Sequence, residues 1–273
     1  RRWSWKPSWK GRLFYLNTGN KGPAGPCVLP VTGPDCPDRS VALRCKPIVP
    51  ILLSLLATLP LELRAETLYD IRFRGLQVAE ATVAGRETAD AYAAAGRVMA
   101  TGMVQVFARV RFDLSTEGRV SGTNFRPARY REDVDTGDRA SEVVLSWAGP
   151  MPVIERQSPA PAPYAVPPAD AAGTVDPLTA LWRLLRDADR AEMLCDYTVQ
   201  VYDGARRSQF AMGPRQAAPD GITCAGEYRR LDGFSAEAMS DRQSFPFTAH
   251  YAETEGVWRL TEVRATSLFG PIR

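Results

Sequence analysis

From Tyr69 onward the chain alternates apolar and polar residues again and again, and this period of two constrains its fold more than any other feature. Tyr69, Ile71 and Phe73 share one side of such a run while Asp70, Arg72 and Arg74 share the other, which specifies a half-buried strand. Gly75 turns the chain into a second stretch, Leu76 to Glu87, and residues 92–101 continue the pattern through Val98 and Met99. An opening three-stranded meander is expected. A short helical piece follows at 103–109, after which Val110, Phe112 and Leu114 alternate with Arg111, Asp113 and Ser115. Glu117-Gly118-Arg119 reads as a turn, and further strands are expected at 128–134 and 142–147, where Val143, Leu145 and Trp147 point one way.

Between 148 and 176 the chain is rich in proline and alanine, including Ser158-Pro-Ala-Pro-Ala-Pro163 and Pro167-Pro168. Proline cannot donate to a β-ladder, so this segment reads as a loop or covering strap. Asp176 before Pro177 makes an N-cap followed by proline at the first helical position. Leu178, Leu181, Trp182 and Leu185 then fall on one face of one principal helix, about 177–188. Strand patterning returns at Tyr197, Val199 and Val201; Asp203-Gly204 gives a two-residue hairpin signal, residues 206–212 run back, and stretches at 224–231, 244–251 and 257–269 complete the set. The expected fold is mainly β: an antiparallel, strongly curved sheet of about ten strands, a half-open barrel, around that covering helix.

Ahead of this domain, Arg44 and Lys46 precede an apolar run from Ile48 to Leu63 that is interrupted by Pro50 and Pro60. That arrangement fits a secretory signal peptide over 41–65, cut after Ala65, and a single periplasmic domain over 66–273. A transmembrane anchor is the competing reading, but the run falls short of the roughly 18–20 apolar residues a span takes. Cys45 precedes the run, whereas a lipid-modified cysteine would follow it at the cut. Residues 1–40 carry no helical or strand period and read either as upstream translated sequence, with the start at Val41, or as a disordered extension.

The segment before Glu66 holds 10 of the 34 basic residues and 3 of the 31 acidic ones, which leaves 24 arginines against 28 carboxylates, net −4. No basic stripe remains to follow a phosphate backbone, so nucleic acid is not an expected partner. Two cysteines remain, Cys195 and Cys224, and in an oxidising compartment an even pair is most simply a disulfide. The loop it would close is worth roughly 3–4 kcal/mol in chain-entropy terms. A redox pair is the alternative, with a spacing unlike Cys-x-x-Cys.

All four lysines, Lys6, Lys10, Lys21 and Lys46, lie before the cut, and the chain has one histidine, His250. The domain therefore has no residues for a Schiff-base lysine, a phosphate-loop lysine or a multi-histidine zinc site. His250 is out of phase with Phe247 and Tyr251 and reads as a solvent-facing strand residue. Glu132-Asp133-Val134-Asp135 would suit calcium or a carboxylate pair, or simply a polar hairpin tip turning at Thr136-Gly137-Asp138. No Gly-x-Ser-x-Gly elbow occurs. No catalytic residue, cofactor or metal ligand is assigned, and a non-enzymatic role is expected. The residues left to carry function are apolar: Tyr69, Ile71, Phe73, Phe112, Trp147, Leu178, Leu181, Trp182 and Leu185. They form either ordinary core or the lining of a ligand cavity lidded by the proline-rich strap.

Four segments, Tyr69-Asp-Ile-Arg-Phe-Arg-Gly-Leu76, Phe125-Arg-Pro-Ala-Arg-Tyr130, Asp176-Pro-Leu-Thr-Ala-Leu181 and Val201-Tyr-Asp-Gly-Ala-Arg-Arg207, resemble in order and spacing a family of exported proteins of Gram-negative bacteria, known only as domain of unknown function 3108. Where a glycine is expected after the first turn, this chain has Val78-Ala79-Glu80. The resemblance implies export and brings no established activity. More distantly, the layout is similar to the periplasmic lipoprotein carriers, whose half-open barrel holds acyl chains, a likeness of fold rather than of function. Three roles follow as expectations. The first is a protein that binds a lipid, another hydrophobic ligand or a cell-envelope component. The second is an envelope scaffold that meets a protein partner through sheet edges and the strap. The third is a hydrolase built on two carboxylates about 5–10 Å apart in a groove.

Overall fold

The computed structural model describes residues 66–107, 109–267 and 270–273. The expected signal peptide, its cut and residues 1–40 lie outside the described residues. Seven strands come first: β1 (Glu66–Phe73), β2 (Leu76–Glu87), β3 (Ala91–Ala100), β4 (Arg111–Ser121), β5 (Asn124–Asp135), β6 (Ala140–Ala148) and β7 (Met151–Ser158), with a four-residue helix α1 (Val104–Phe107) between β3 and β4. The principal helix α2 (Pro177–Leu185) follows. Six more strands complete the domain: β8 (Tyr197–Tyr202), β9 (Arg207–Ala218), β10 (Gly221–Asp232), β11 (Ser244–Thr254), β12 (Val257–Ser267) and β13 (Gly270–Ile272), with a short helix α3 (Ala236–Asp241) before β11.

All thirteen strands join one antiparallel sheet in the order β7-β6-β5-β4-β3-β2-β1-β13-β12-β11-β10-β9-β8. This overturns the expected half-open barrel of about ten strands. The order is linear and the sheet open, because β1 and β13 pair at its middle and leave β7 and β8 as separate edges. Barrel closure requires a first-to-last pairing with a fixed stagger, and period-two patterning, which assigns faces, carries no information about it. At the central seam Phe73 faces Ile272, Arg72 N donates to Arg273 O at 2.8 Å and Arg273 N donates to Arg72 O at 2.9 Å.

Two of the added strands are hard to see in the sequence for definite reasons. β7 lies inside the segment expected to be a strap, and its Pro152 is tolerated because an edge strand has one side that needs no donor. β13 has three residues, too few for alternation to register. Glu117-Gly118-Arg119 is not a turn but runs through β4 opposite a bulge at Ala128 of β5, and the chain reverses at Gly122-Thr123 instead. A Cβ at Gly118 would lie 2.2 Å from Arg126 O, so the glycine serves close strand approach. The Asp203 hairpin forms with four linking residues rather than two, because Asp203 Oδ1 accepts from Ala205 N at 3.0 Å and Arg206 N at 2.7 Å. The first hairpin keeps a two-residue turn, Arg74-Gly75, and shifts register between Ile71 and Arg72.

Helix α2 begins as expected, with Asp176 Oδ1 accepting from Thr179 N at 2.8 Å and Pro177 in the first turn. It rests on β3, β4 and β5 from one half of the sheet and on β8 and β12 from the other. One apolar stripe therefore does not suffice. Leu178 and Trp182 enter a cluster with Val83, Tyr92, Phe125, Tyr130 and Leu145, while Ala180 and Leu184 enter a second with Leu194, Tyr197, Phe210, Phe247 and Tyr251. Leu181, expected on the buried face, is 37 % exposed, and the helix stops at Leu185, short of 188.

Cys195 and Cys224 form a disulfide with Cα atoms 6.0 Å apart. Strand β9 lies between β8 and β10, and two strand spacings of roughly 4.8 Å exceed that distance. Cys195 is off the ladder: it precedes β8, where Asp196 takes φ 60° and donates from its N to Gly213 O at 2.9 Å.

Candidate functional site

A cleft of about 960 Å³ opens beside α2. Phe125 and Pro127 of β5, Trp147 of β6, Ala180 and Arg183 of α2 and Val199 of β8 form its walls, and residues 172–175 close one side. That closing segment is tied down at both ends of the sheet. Gly173 N donates to Pro150 O at 2.8 Å beside β7, while Val175 N donates to Gln200 O at 2.8 Å and Val175 O accepts from Tyr202 N at 2.9 Å on β8. Trp147 Nε1 donates to Thr174 O at 3.1 Å, which orients the indole along the cleft. The covering role foreseen for the proline-rich stretch thus falls to its last residues, and its first half is β7.

Two polar groups lie under α2. At its start Asp176 is wholly buried, and its Oδ2 accepts from Thr179 Oγ1 at 2.5 Å and Thr116 Oγ1 at 2.9 Å. The Tyr92 hydroxyl completes the chain, 2.7 Å from Thr179 Oγ1. Burial outweighs these donors and pushes the Asp176 carboxyl up to about 6. At the helix end Arg186, 4 % exposed, donates from one nitrogen, NH1, to both oxygens of Glu87 at 2.9 and 3.2 Å, and Trp182 Nε1 donates to the same carboxylate at 3.3 Å. Trp182 can lie here because Gly85 leaves room: a Cβ at that position would meet the indole at 2.4 Å.

The Arg183 guanidinium stacks on the Tyr197 ring, its Cζ 3.7 Å from the centroid, and Arg186 Cζ lies 5.1 Å from the Phe125 centroid. Desolvation holds Arg183 below the ordinary arginine range and pushes the Tyr197 hydroxyl up. Arg183 Nε, Arg186 Nε and NH2, and the Tyr197 hydroxyl are buried with no hydrogen-bond partner among the described residues.

Of the nine apolar residues singled out in the sequence, Trp147 lines the large cleft. Tyr69, Trp182 and Leu185 border a smaller pocket of about 210 Å³ with Glu87 and Arg186, where burial pushes the Tyr69 hydroxyl up to about 12. Leu178 is core. Ile71 and Phe73 are half-buried along β1, Phe112 is half-buried on β4, and Leu181 faces outward. The nine do not converge on one cavity. Sequence reasoning missed Arg183 and Arg186 because charged residues at a helix end ordinarily read as a solvated complement to its dipole, and Glu87 and Tyr197 because they read as ordinary strand residues.

Elsewhere, Asp133 pairs with Arg111 at 2.7 Å and Asp135 with Arg109 at 3.5 Å, and the chain reverses at Thr136–Arg139 as a hairpin. Glu132 faces inward, accepts from the Tyr130 hydroxyl at 2.6 Å and has its carboxyl raised by burial. No group of three histidine, cysteine or acidic side chains among the described residues could hold a metal ion. His250 is bonded through both ring nitrogens, to Thr261 Oγ1 at 2.8 Å and Asp220 Oδ1 at 2.9 Å. No helix among the described residues is long and apolar enough to cross a membrane.

A family model described as a protein of unknown function, DUF3108, matches residues 68–216, a span that includes all four segments quoted above and the whole cleft beside α2. No curated protein and no solved structure matches the chain.

Proposed function

The chain belongs to the DUF3108 family, and from that premise we propose that it is a non-enzymatic binding protein of the cell envelope, exported to the periplasm, whose cleft beside α2 takes a largely apolar ligand. The observation that carries this reading is the cleft itself. Its volume, about 960 Å³, lies at the upper end of the range for small-molecule sites, and Phe125, Trp147, Val175 and Val199 give it apolar wall patches interleaved with the polar side chains of Asn124, Arg126, Arg183, Thr198 and Gln200. The Cys195–Cys224 disulfide suits an oxidising compartment and supports export.

The scaffold alternative draws less support. Val175 already pairs with the β8 edge, and β7 carries Pro152, Glu155 and Arg156, residue types that blunt strand addition. Native mass spectrometry tests the proposal. The protein is expected to carry, or to take up from added ten- to sixteen-carbon amphiphiles, one molecule per chain, and Trp147→Ala is expected to weaken uptake by about tenfold, as loss of an aromatic wall does in apolar sites. A species that stays empty with every probe would end this reading.

A further inference from the structure

We propose that the α2 wall of the cleft is an acid-group subsite, in which Arg183, stacked on the Tyr197 ring with Arg186 behind the wall, receives the carboxylate or phosphate end of an amphiphile. The inference rests on the cleft being the ligand site and names the ligand's class.

Of the four buried polar atoms without a partner around the end of α2, three are guanidinium nitrogens, which can only donate. A guanidinium does not shed its charge to escape such a place. The carboxylates nearby are committed. Glu87 is engaged by NH1 of Arg186 and by Trp182; Asp187 lies 3.1 Å from Arg259; Asp176 is enclosed by Thr179 and Thr116. At the helix end the Leu184 carbonyl accepts from the Tyr251 hydroxyl at 3.0 Å rather than from these cations.

What the group lacks is acceptor oxygens, and an oxyanion supplies several at once. Arg183 lines the cleft directly, and Phe125, against which Arg186 lies, is part of the same wall. A ligand whose apolar part runs along Phe125, Trp147, Val175 and Val199 would bring its charged end to Arg183.

Titration of the purified protein with decanoate, decyl phosphate, 1-decanol and inorganic phosphate, followed by the fluorescence of its tryptophans, separates the two layers. Decanoate or decyl phosphate is expected to bind about tenfold or more tighter than decanol, the scale of a charge-assisted hydrogen bond. Arg183→Gln should erase that preference, bringing acid and alcohol to equal affinity; Arg183→Lys should restore part of it; Tyr197→Phe should reduce it. Equal binding of acid and alcohol by the unaltered protein overturns the subsite and leaves the cleft reading standing. No binding of any decyl probe overturns both. Phosphate alone binding as tightly as decyl phosphate supports the anion site and removes the apolar tail from the proposal. The acid-against-alcohol comparison needs no variant, so a misfolded substitution cannot leave the question open.

Discussion

At position 176 one carboxylate caps α2, joins the hydroxyl chain through Thr179, Thr116 and Tyr92, and lies out of contact with water. Its folded value of about 6 stands above the ordinary 3.8, so the folded protein holds this proton more tightly than the unfolded one. Stability from this group is therefore full below 3.8 and is lost as pH rises through about 6. Asp176→Asn keeps a cap and removes the titration. Urea unfolding of the two proteins between pH 4 and 7 is expected to show the difference between them falling by on the order of 2–3 kcal/mol, and a pH-independent difference would contradict the assignment. Asp176 was legible as a cap because Asp-Pro before an apolar run is a local signal. Arg183 and Arg186 were not, since nothing within a few residues says that a second sheet half will be laid over them.

At the scale of elements, alternation located nearly every strand, because its cause, one face toward core and one toward water, is local to each strand. It fails where geometry comes from a neighbour: Gly118 sits opposite a bulge in β5, and Pro152 is legible as a strand residue once β7 is known to be an edge. Apolar spacing marks helix α2 but not its full buried face, since Ala180 and Leu184 are buried by strands that lie after it in the chain. The Cys195–Cys224 bond ties the approach to β8 to β10 across β9, although the sequence separation of 29 residues could have been spanned without it. Replacing both cysteines by alanine is expected to cost about 2–4 kcal/mol in denaturant unfolding, with the variant keeping the secondary-structure spectrum of the unaltered protein. A loss well under about 1 kcal/mol would mean that packing and the Asp196–Gly213 backbone bond hold the off-ladder turn without the disulfide.

At the scale of the molecule, the two runs of strands are joined at β1·β13, and the joining strand is three residues long. Removing residues 270–273 takes away the paired hydrogen bonds between Arg72 and Arg273 and uncovers β1 and β12 as edges. The shortened protein is expected to unfold at lower denaturant, by the equivalent of about 2–3 kcal/mol for the backbone bonds lost, and to self-associate as concentration rises. Sedimentation velocity checks the second effect; a monomer of unchanged stability would show that the halves are held by α2 alone. The period of two predicted many antiparallel strands and one helix but not their global order, because pairing partners 200 residues apart leave no mark on either segment.

The placement of β13 also sets an order of events. A chain delivered from its amino end, whether off a ribosome or through a membrane pore, can assemble β1 to β7 early, yet β1 keeps an unsatisfied flank until residues 270–272 arrive. The centre of the sheet thus cannot be completed until the twelve strands before β13 have been made, and until then β1 presents a sticky border that a holding chaperone would have reason to shield.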